Sequence, residues 1–506
     1  MNNMNEDTQQ EKLSVQKDDK TIEEIHKQVN IGGPAQAITD PGRRVRQAIV
    51  VIHGIGEQRP MDTLRGFVDA VLGDNHKGES KYRSKPDAMN ELFEMRCLQM
   101  PSDHQTCEPL TDFYEYYWAH HMQGSRYSQV TSWLLGLMMR SPQMIPQAIK
   151  PAYFLSWSLV FIVAGLWAWG LYSAGTGTSS FTKGVWQQKW LFASGALIAF
   201  LQWLGSHFLL GYVADAARYL TPSPDNIEAR NKIRSEGINL LRTLHSSGKY
   251  RRIVIVGHSL GSVIGYDIIR NLWVDLRKPV NVYPRKQSEL KNFEQEAQTV
   301  DEGEVTPAKI EMFQQCQHRL WQEFIEVGIP WLITDFITLG SPLAHAQLLM
   351  ADDPVDFKHK KEQYEYPCCP PDDGDKQYYS QHYQFNLDGE NVIRNVFIPH
   401  HGAPFSCTRW TNMYFPYRRL ILGDLIGGPL NGVFGKGIRD IAVVPSTGKF
   451  LDGTLASHVR YWTCGKGANT VPADVKPSLE TLRKFLRIDF LRGKSSKVRP
   501  GGIVEQ

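Results

Sequence analysis

Apolar residues along this chain fall into short runs bounded by turn residues, and their spacing alternates between sheet-like and helix-like. A strand begins at Gln47 and continues through Ala, Ile and Val over 48–52, and a second run of Ile and Val fills 253–256. Near-continuous β-branched runs of this kind mark strands buried on both faces of a sheet. Helical spacing is predicted over 61–72, 227–244 and 262–270, with strands over 91–100, 111–118, 331–339, 409–415 and 441–444. The aromatic residues of the 111–118 strand are read as core packing, and 479–492 as the last helix of the fold. Strands alternating with helices predict an α/β protein with a mostly parallel sheet.

Two of the buried strands run straight into glycine-containing turns. The first ends in Gly-His-Ser-Leu-Gly at 257–261, followed by the predicted helix. A serine on so sharp a strand-to-helix turn has its hydroxyl pushed out of the sheet, and only small neighbours let the backbone bend that tightly. The amide of Leu260 then points to where a carbonyl oxygen would become negative. The second strand ends in His-Gly-Ile-Gly at 53–56, where glycine lets the backbone approach a substrate.

The two motifs, in this order, resemble the α/β-hydrolase superfamily in its lipase and esterase branch. That resemblance implies an α/β-hydrolase fold, a nucleophile at Ser259, and oxyanion donors at Leu260 and Ile55, with Gly54 next. It also implies that an acid and then a histidine follow the serine along the chain, because a serine hydroxyl needs a base and the base needs an orienting carboxylate. His458, in a loop after the last buried strand, is the expected base, and His400 and His401 precede the strand that should carry the acid. Relatives carry a Trp-x-Asn-x-Tyr strand followed by an Asp and glycines; here Trp410, Asn412 and Tyr414 precede Asp424, which is the expected acid. Asp440 is second choice, and Asp335 lies within an earlier strand. The resemblance covers residues 47–118 and 226–462.

Two uncharged runs add a membrane expectation. Residues 152–175 carry Trp157, Trp167, Trp169 and Tyr172, and residues 190–213 include Gln202 and His207. Each exceeds the roughly 20 residues that span a bilayer, and a transmembrane hairpin interrupting the fold is expected. Arg126, Arg140, Lys150, Arg218, Arg230 and Lys232 flank the pair, against Lys183 and Lys189 in its connection, which places both flanks in the cytoplasm.

The expected organisation is a polar disordered tail over 1–43, a first hydrolase part over 44–130, and a membrane region over 131–214. A second hydrolase part follows over 215–490, with insertions at 277–326 (a solvated helix pair) and 351–384 (a surface loop), then a basic tail over 491–506. With 56 basic and 53 acidic residues, the net charge of +3 makes no case for nucleic acid. The 7 cysteines form no CxxC or Cys/His ligand spacing, so neither zinc nor another cofactor is expected, and a reducing compartment fits them. The expectation is a membrane-anchored serine hydrolase of carboxylic esters, lipid esters first. A thioesterase or acyltransferase on the same scaffold, or an inactive hydrolase-like interaction protein, stands as the alternative.

Overall fold

The computed structural model describes residues 46–54, 59–73, 82–87, 96–100, 109–122, 136, 138–145, 150–175, 219–220, 224–279, 287–371, 380–386, 393–417, 423–445, 455–462 and 477–488. The strands are β1 (Arg46–Ile52), β2 (Arg83–Pro86), β3 (Arg96–Met100), β4 (Leu110–Tyr116), β5 (Arg252–His258), β6 (Ile333–Leu339), β7 (Ser380–Asn386), β8 (Ile393–Pro399), β9 (Arg409–Tyr414) and β10 (Arg439–Ala442). The helices used below are α1 (Asp62–Leu72), α2 (Lys150–Gly175), α3 (Pro224–Ser246), α4 (Leu260–Leu276), α5 (Ser288–Glu302), α6 (Pro307–Val327), α7 (Pro354–Glu362) and α8 (Ser478–Leu486).

Eight strands form one mixed, mostly parallel sheet in the order β10-β9-β6-β5-β1-β4-β3-β2. The pairs from β10 across to β4 are parallel, and β3 and β2 add an antiparallel edge. β7 and β8 form a separate antiparallel pair. The central strands read as uniformly apolar because helices cover both faces, yet their side chains still alternate. Ala48, Val50 and Ile52 of β1, with Ile253 and Ile255 of β5, face a core built with α3, α4, α5 and α6. Ile49, Val51, Val254 and Val256 face the opposite core against α1 and α8. At about 1.5–3 kcal/mol for each large apolar side chain fully buried, these two strands anchor the fold.

The 277–326 insertion is a helix pair, as its sequence suggests, but each member buries a stripe: Leu290, Phe293, Ala297 and Val300 from α5, and Ile310, Phe313, Leu320 and Phe324 from α6. Local chemistry sets its ends. Thr306 caps α6 by accepting the Lys309 amide, Pro307 opens the helix, and Gly328 closes it at φ 106. The Glu323 carboxylate accepts the Glu289 and Leu290 amides at the start of α5. The 351–384 stretch is not simply a loop. Asp353 accepts the Val355 and Asp356 amides before Pro354 and so starts α7.

The membrane expectation is corrected. Among the described residues no helix is long and apolar enough to cross a membrane, which removes the two-span hairpin and the integral-membrane localisation. The first apolar run forms α2; the second, 190–213, lies outside the described residues, as do the tails over 1–43 and 491–506. Aromatic residues of the first run also have polar partners within the chain. The Tyr153 hydroxyl donates to the Met138 and Arg140 carbonyls, and the Trp157 indole N–H donates to that of Met138. The start of α2 therefore makes polar contacts with its own chain.

Candidate active site

The carboxyl ends of the parallel strands bring the two glycine turns together. β5 is buried along its whole length and passes into α4 through Ser259, whose backbone sits at φ 50, ψ −127. A non-glycine residue held there costs about 1–3 kcal/mol, so its surroundings must impose it. The Ser259 amide donates to the Leu339 carbonyl of β6 at 2.9 Å. Its own carbonyl accepts the Ser262 amide at 2.9 Å and the Ser262 hydroxyl at 2.5 Å. The flanking glycines are sterically required. A Cβ on Gly257 would lie 2.6 Å from the Ser262 Cα, and one on Gly261 would lie 2.2 Å from the Ile52 oxygen.

The β1 turn packs directly on this elbow. A Cβ on Gly54 would sit 3.0 Å from the Ser259 Cβ and 2.8 Å from His258 Nδ1. His53, fully buried, has its pKa lowered by burial to about 4 and is neutral. Its Nδ1–H donates to the Gly54 carbonyl at 2.8 Å, which leaves Nε2 to accept the Trp118 amide at 3.4 Å. Trp118 stacks on the imidazole with 5.0 Å between ring centroids and donates its indole N–H to the His53 carbonyl at 3.0 Å. The end of β4 thus holds the His53-Gly54 turn. Leu260 opens α4, where the first amides of a helix lack intrahelical acceptors. Ile55 lies outside the described residues.

The loops after β9 and β10 bring Asp424 and His458 into contact. His458 stands on the short 3-10 turn Leu455–Val459, and its Nδ1–H donates to Asp424 Oδ2 at 2.8 Å. Asp424 is almost wholly buried and also accepts the Tyr461 hydroxyl at 2.9 Å and the Ile426 amide at 2.9 Å. Burial opposes its charge, but the neighbouring His458 and the Gly427 and Ile426 amides hold its carboxyl below the usual carboxylate range. With Nδ1 committed, His458 Nε2 is the nitrogen carrying the lone pair. That atom and Ser259 Oγ are both buried and, among the described residues, without a hydrogen-bond partner.

The rival residues have other tasks. Asp440 accepts the Leu430 and Asn431 amides and the Asn412 side-chain amide, and so fixes the segment that leads into β10. Asp335 is buried between Arg252 and Arg409 at 2.8 Å from each. His400 accepts the Gly402 amide and packs its ring on Tyr364, which His401 also meets edge-on.

Sequence reasoning missed three supporting residues. His258, inside the glycine motif itself, donates Nε2–H to the His458 carbonyl at 2.8 Å. Tyr461 holds the Asp424 carboxylate and also accepts the Phe415 amide. Trp118 holds the β1 turn, and its place at the end of an aromatic strand was the only signal for it. Chemically, the arrangement offers a strained serine, an imidazole with one bare nitrogen, and a carboxylate that fixes its orientation. Compared with known protein families, curated proteins and solved structures, the chain matches none of them.

Proposed function

We propose that this protein is a serine hydrolase of carboxylic esters built on the α/β-hydrolase plan. Ser259 attacks the ester carbonyl, and His458 Nε2 takes the hydroxyl proton and later delivers it to the departing alkoxide. Asp424 fixes the imidazole and stabilises it when protonated. The amides of Leu260 and of the Gly54-Ile55 turn receive the negative oxygen, where one donor is typically worth about 3 kcal/mol. Water, deprotonated by the same imidazole, then releases the acyl group.

The observation that carries the reading is the 2.8 Å contact from His458 Nδ1 to Asp424, which leaves Nε2 bare on a ring whose centroid lies 5.1 Å from that of the elbow residue His258. A half-buried histidine kept only for packing gains nothing from a carboxylate on one nitrogen and no partner on the other. The strained backbone of Ser259 supports the same reading, since a serine with no task there would be better replaced by glycine. Preference for lipid esters rested on the hairpin and is dropped with it.

The test is covalent labelling of the full-length protein by a fluorophosphonate, together with hydrolysis of a short-chain p-nitrophenyl ester. Ser259→Ala and His458→Ala are expected to abolish both. Labelling that persists in Ser259→Ala would overturn the assignment.

A further inference from the structure

We propose that His120, His121 and Glu236 form a binding site for a divalent transition-metal ion of the zinc class. The first two stand on the 3-10 turn Ala119–Met122 just beyond β4, and Glu236 comes from α3. One ligand atom from each of the three lies within 4.8 Å of the others. The Glu236 Oε2 is 2.7 Å from His121 Nε2 and 3.9 Å from His120 Nε2. Zinc bonds of about 2.0–2.1 Å to nitrogen and oxygen place tetrahedral ligands ~3.3 Å apart, between those two distances. Small side-chain rotations would therefore seat an ion without moving the backbone.

The donor set suits that class. Two imidazoles and one carboxylate favour zinc over calcium or magnesium, which prefer oxygen alone. All three side chains are partly rather than fully buried, so an ion can reach them and water can complete the coordination. The imidazoles already share one spot, with ring centroids 3.8 Å apart. Local spacing gives no hint of the site, because Glu236 stands 115 residues beyond His121.

The location gives the ion a role. The same turn is closed by the His121 amide donating to the Trp118 carbonyl at 3.1 Å, and Trp118 is the residue that grips His53. The Tyr117 ring bridges the two histidine groups, 5.2 Å from His53 and stacked 5.8 Å from His120. A bound ion would tie the end of β4 to α3 and so stiffen the support of the His53-Gly54 turn. This is a structural site, and it stands whether or not Ser259 is a nucleophile.

The experiment uses chelator-stripped full-length protein titrated with zinc alone against a chromophoric chelator, and with cobalt for its visible spectrum. Wild type is expected to take one equivalent, with a tetrahedral or five-coordinate cobalt spectrum lacking thiolate charge-transfer bands, and to unfold at higher temperature with zinc. Outer-shell changes at metal sites typically cost 10–100-fold in affinity, so losing a direct ligand in His121→Ala is expected to cost at least ~100-fold. Glu236→Gln keeps the shape of the side chain and decides the matter if His121→Ala folds poorly. Failure of wild type to bind one equivalent, equal zinc affinity in Glu236→Gln, or a thiolate band pointing to the cysteines would each overturn the site.

Discussion

His258 Nε2 lies 2.8 Å from the carbonyl oxygen of His458, joining the residue before the strained serine to the backbone of the histidine after β10. Burial, with His458 nearby, lowers the His258 pKa to about 3, so it stays neutral and its one N–H belongs to that carbonyl. The contact sets where His458 sits relative to Ser259. His258→Phe keeps a ring but cannot donate, and it is expected to slow fluorophosphonate labelling about 10–100-fold, since misplacing a reacting group by about 1 Å can cost 10²-fold. His258→Gln, which can donate, should recover most of the rate. Equal rates in the two variants would show that filling space, not the hydrogen bond, is what matters.

The backbone of Ser259 makes a second, independent prediction. At φ 50, ψ −127 a serine is strained and a glycine is not. Relief of about 1–3 kcal/mol, less the ~1 kcal/mol that glycine's unfolded-state entropy costs, should leave Ser259→Gly more stable than wild type by about 1 kcal/mol. Activity and labelling should vanish together. Urea unfolding checks this, and a Ser259→Gly protein less stable than Ser259→Ala would mean the turn is not strained.

Asp424 is a buried acid and Asp440 a half-buried one, both near the end of the chain, and they should respond differently to the same change. Asp424→Asn replaces the acceptor of the His458 Nδ1–H by a group that can offer its own N–H, which favours the wrong tautomer. Labelling should fall by roughly 10³–10⁴-fold with folding intact. Asp440→Asn disturbs bonds to the Leu430 and Asn431 amides and to Asn412, and is expected to cost about 1–2 kcal/mol of stability while the folded fraction labels normally. The reverse pattern would exchange the two assignments.

What could be read in the sequence was whatever is written locally. The Ile and Val runs that became β1 and β5, and the glycines beside Ser259, each state a physical requirement within a few residues. The contact of Asp424 with His458 was anticipated from chain order in a resembling family rather than from local pattern. What was missed depends on partners far along the chain: 200 residues separate His258 from His458, and 115 separate His121 from Glu236. The membrane expectation failed differently. It rested on two uncharged runs, yet among the described residues no helix is long and apolar enough to cross a membrane, and in the first run the polar ends of Tyr153 and Trp157 donate to the Met138 and Arg140 carbonyls.

Glu115 gives a prediction about pH. It is buried at the end of β4, and its carboxylate accepts the Met61 amide at 2.5 Å, just ahead of α1. Burial pushes its carboxyl up from 4.5 to about 7, against the lowering effect of the Met61 and Leu64 amides. In that window the folded protein keeps a proton that the unfolded chain has lost. Raising the pH through it therefore removes stability, and the full cost applies above pH 7. At 1.36 kcal/mol per pH unit the loss is on the order of 3 kcal/mol. Glu115→Gln accepts the same amide without a charge, so its unfolding free energy should change less between pH 5 and pH 8 by about that amount. Urea unfolding of both proteins at the two pH values measures the difference directly. Parallel profiles would mean that Glu115 ionises as freely in the folded protein as in the unfolded chain, and that the start of α1 holds a charge rather than a proton.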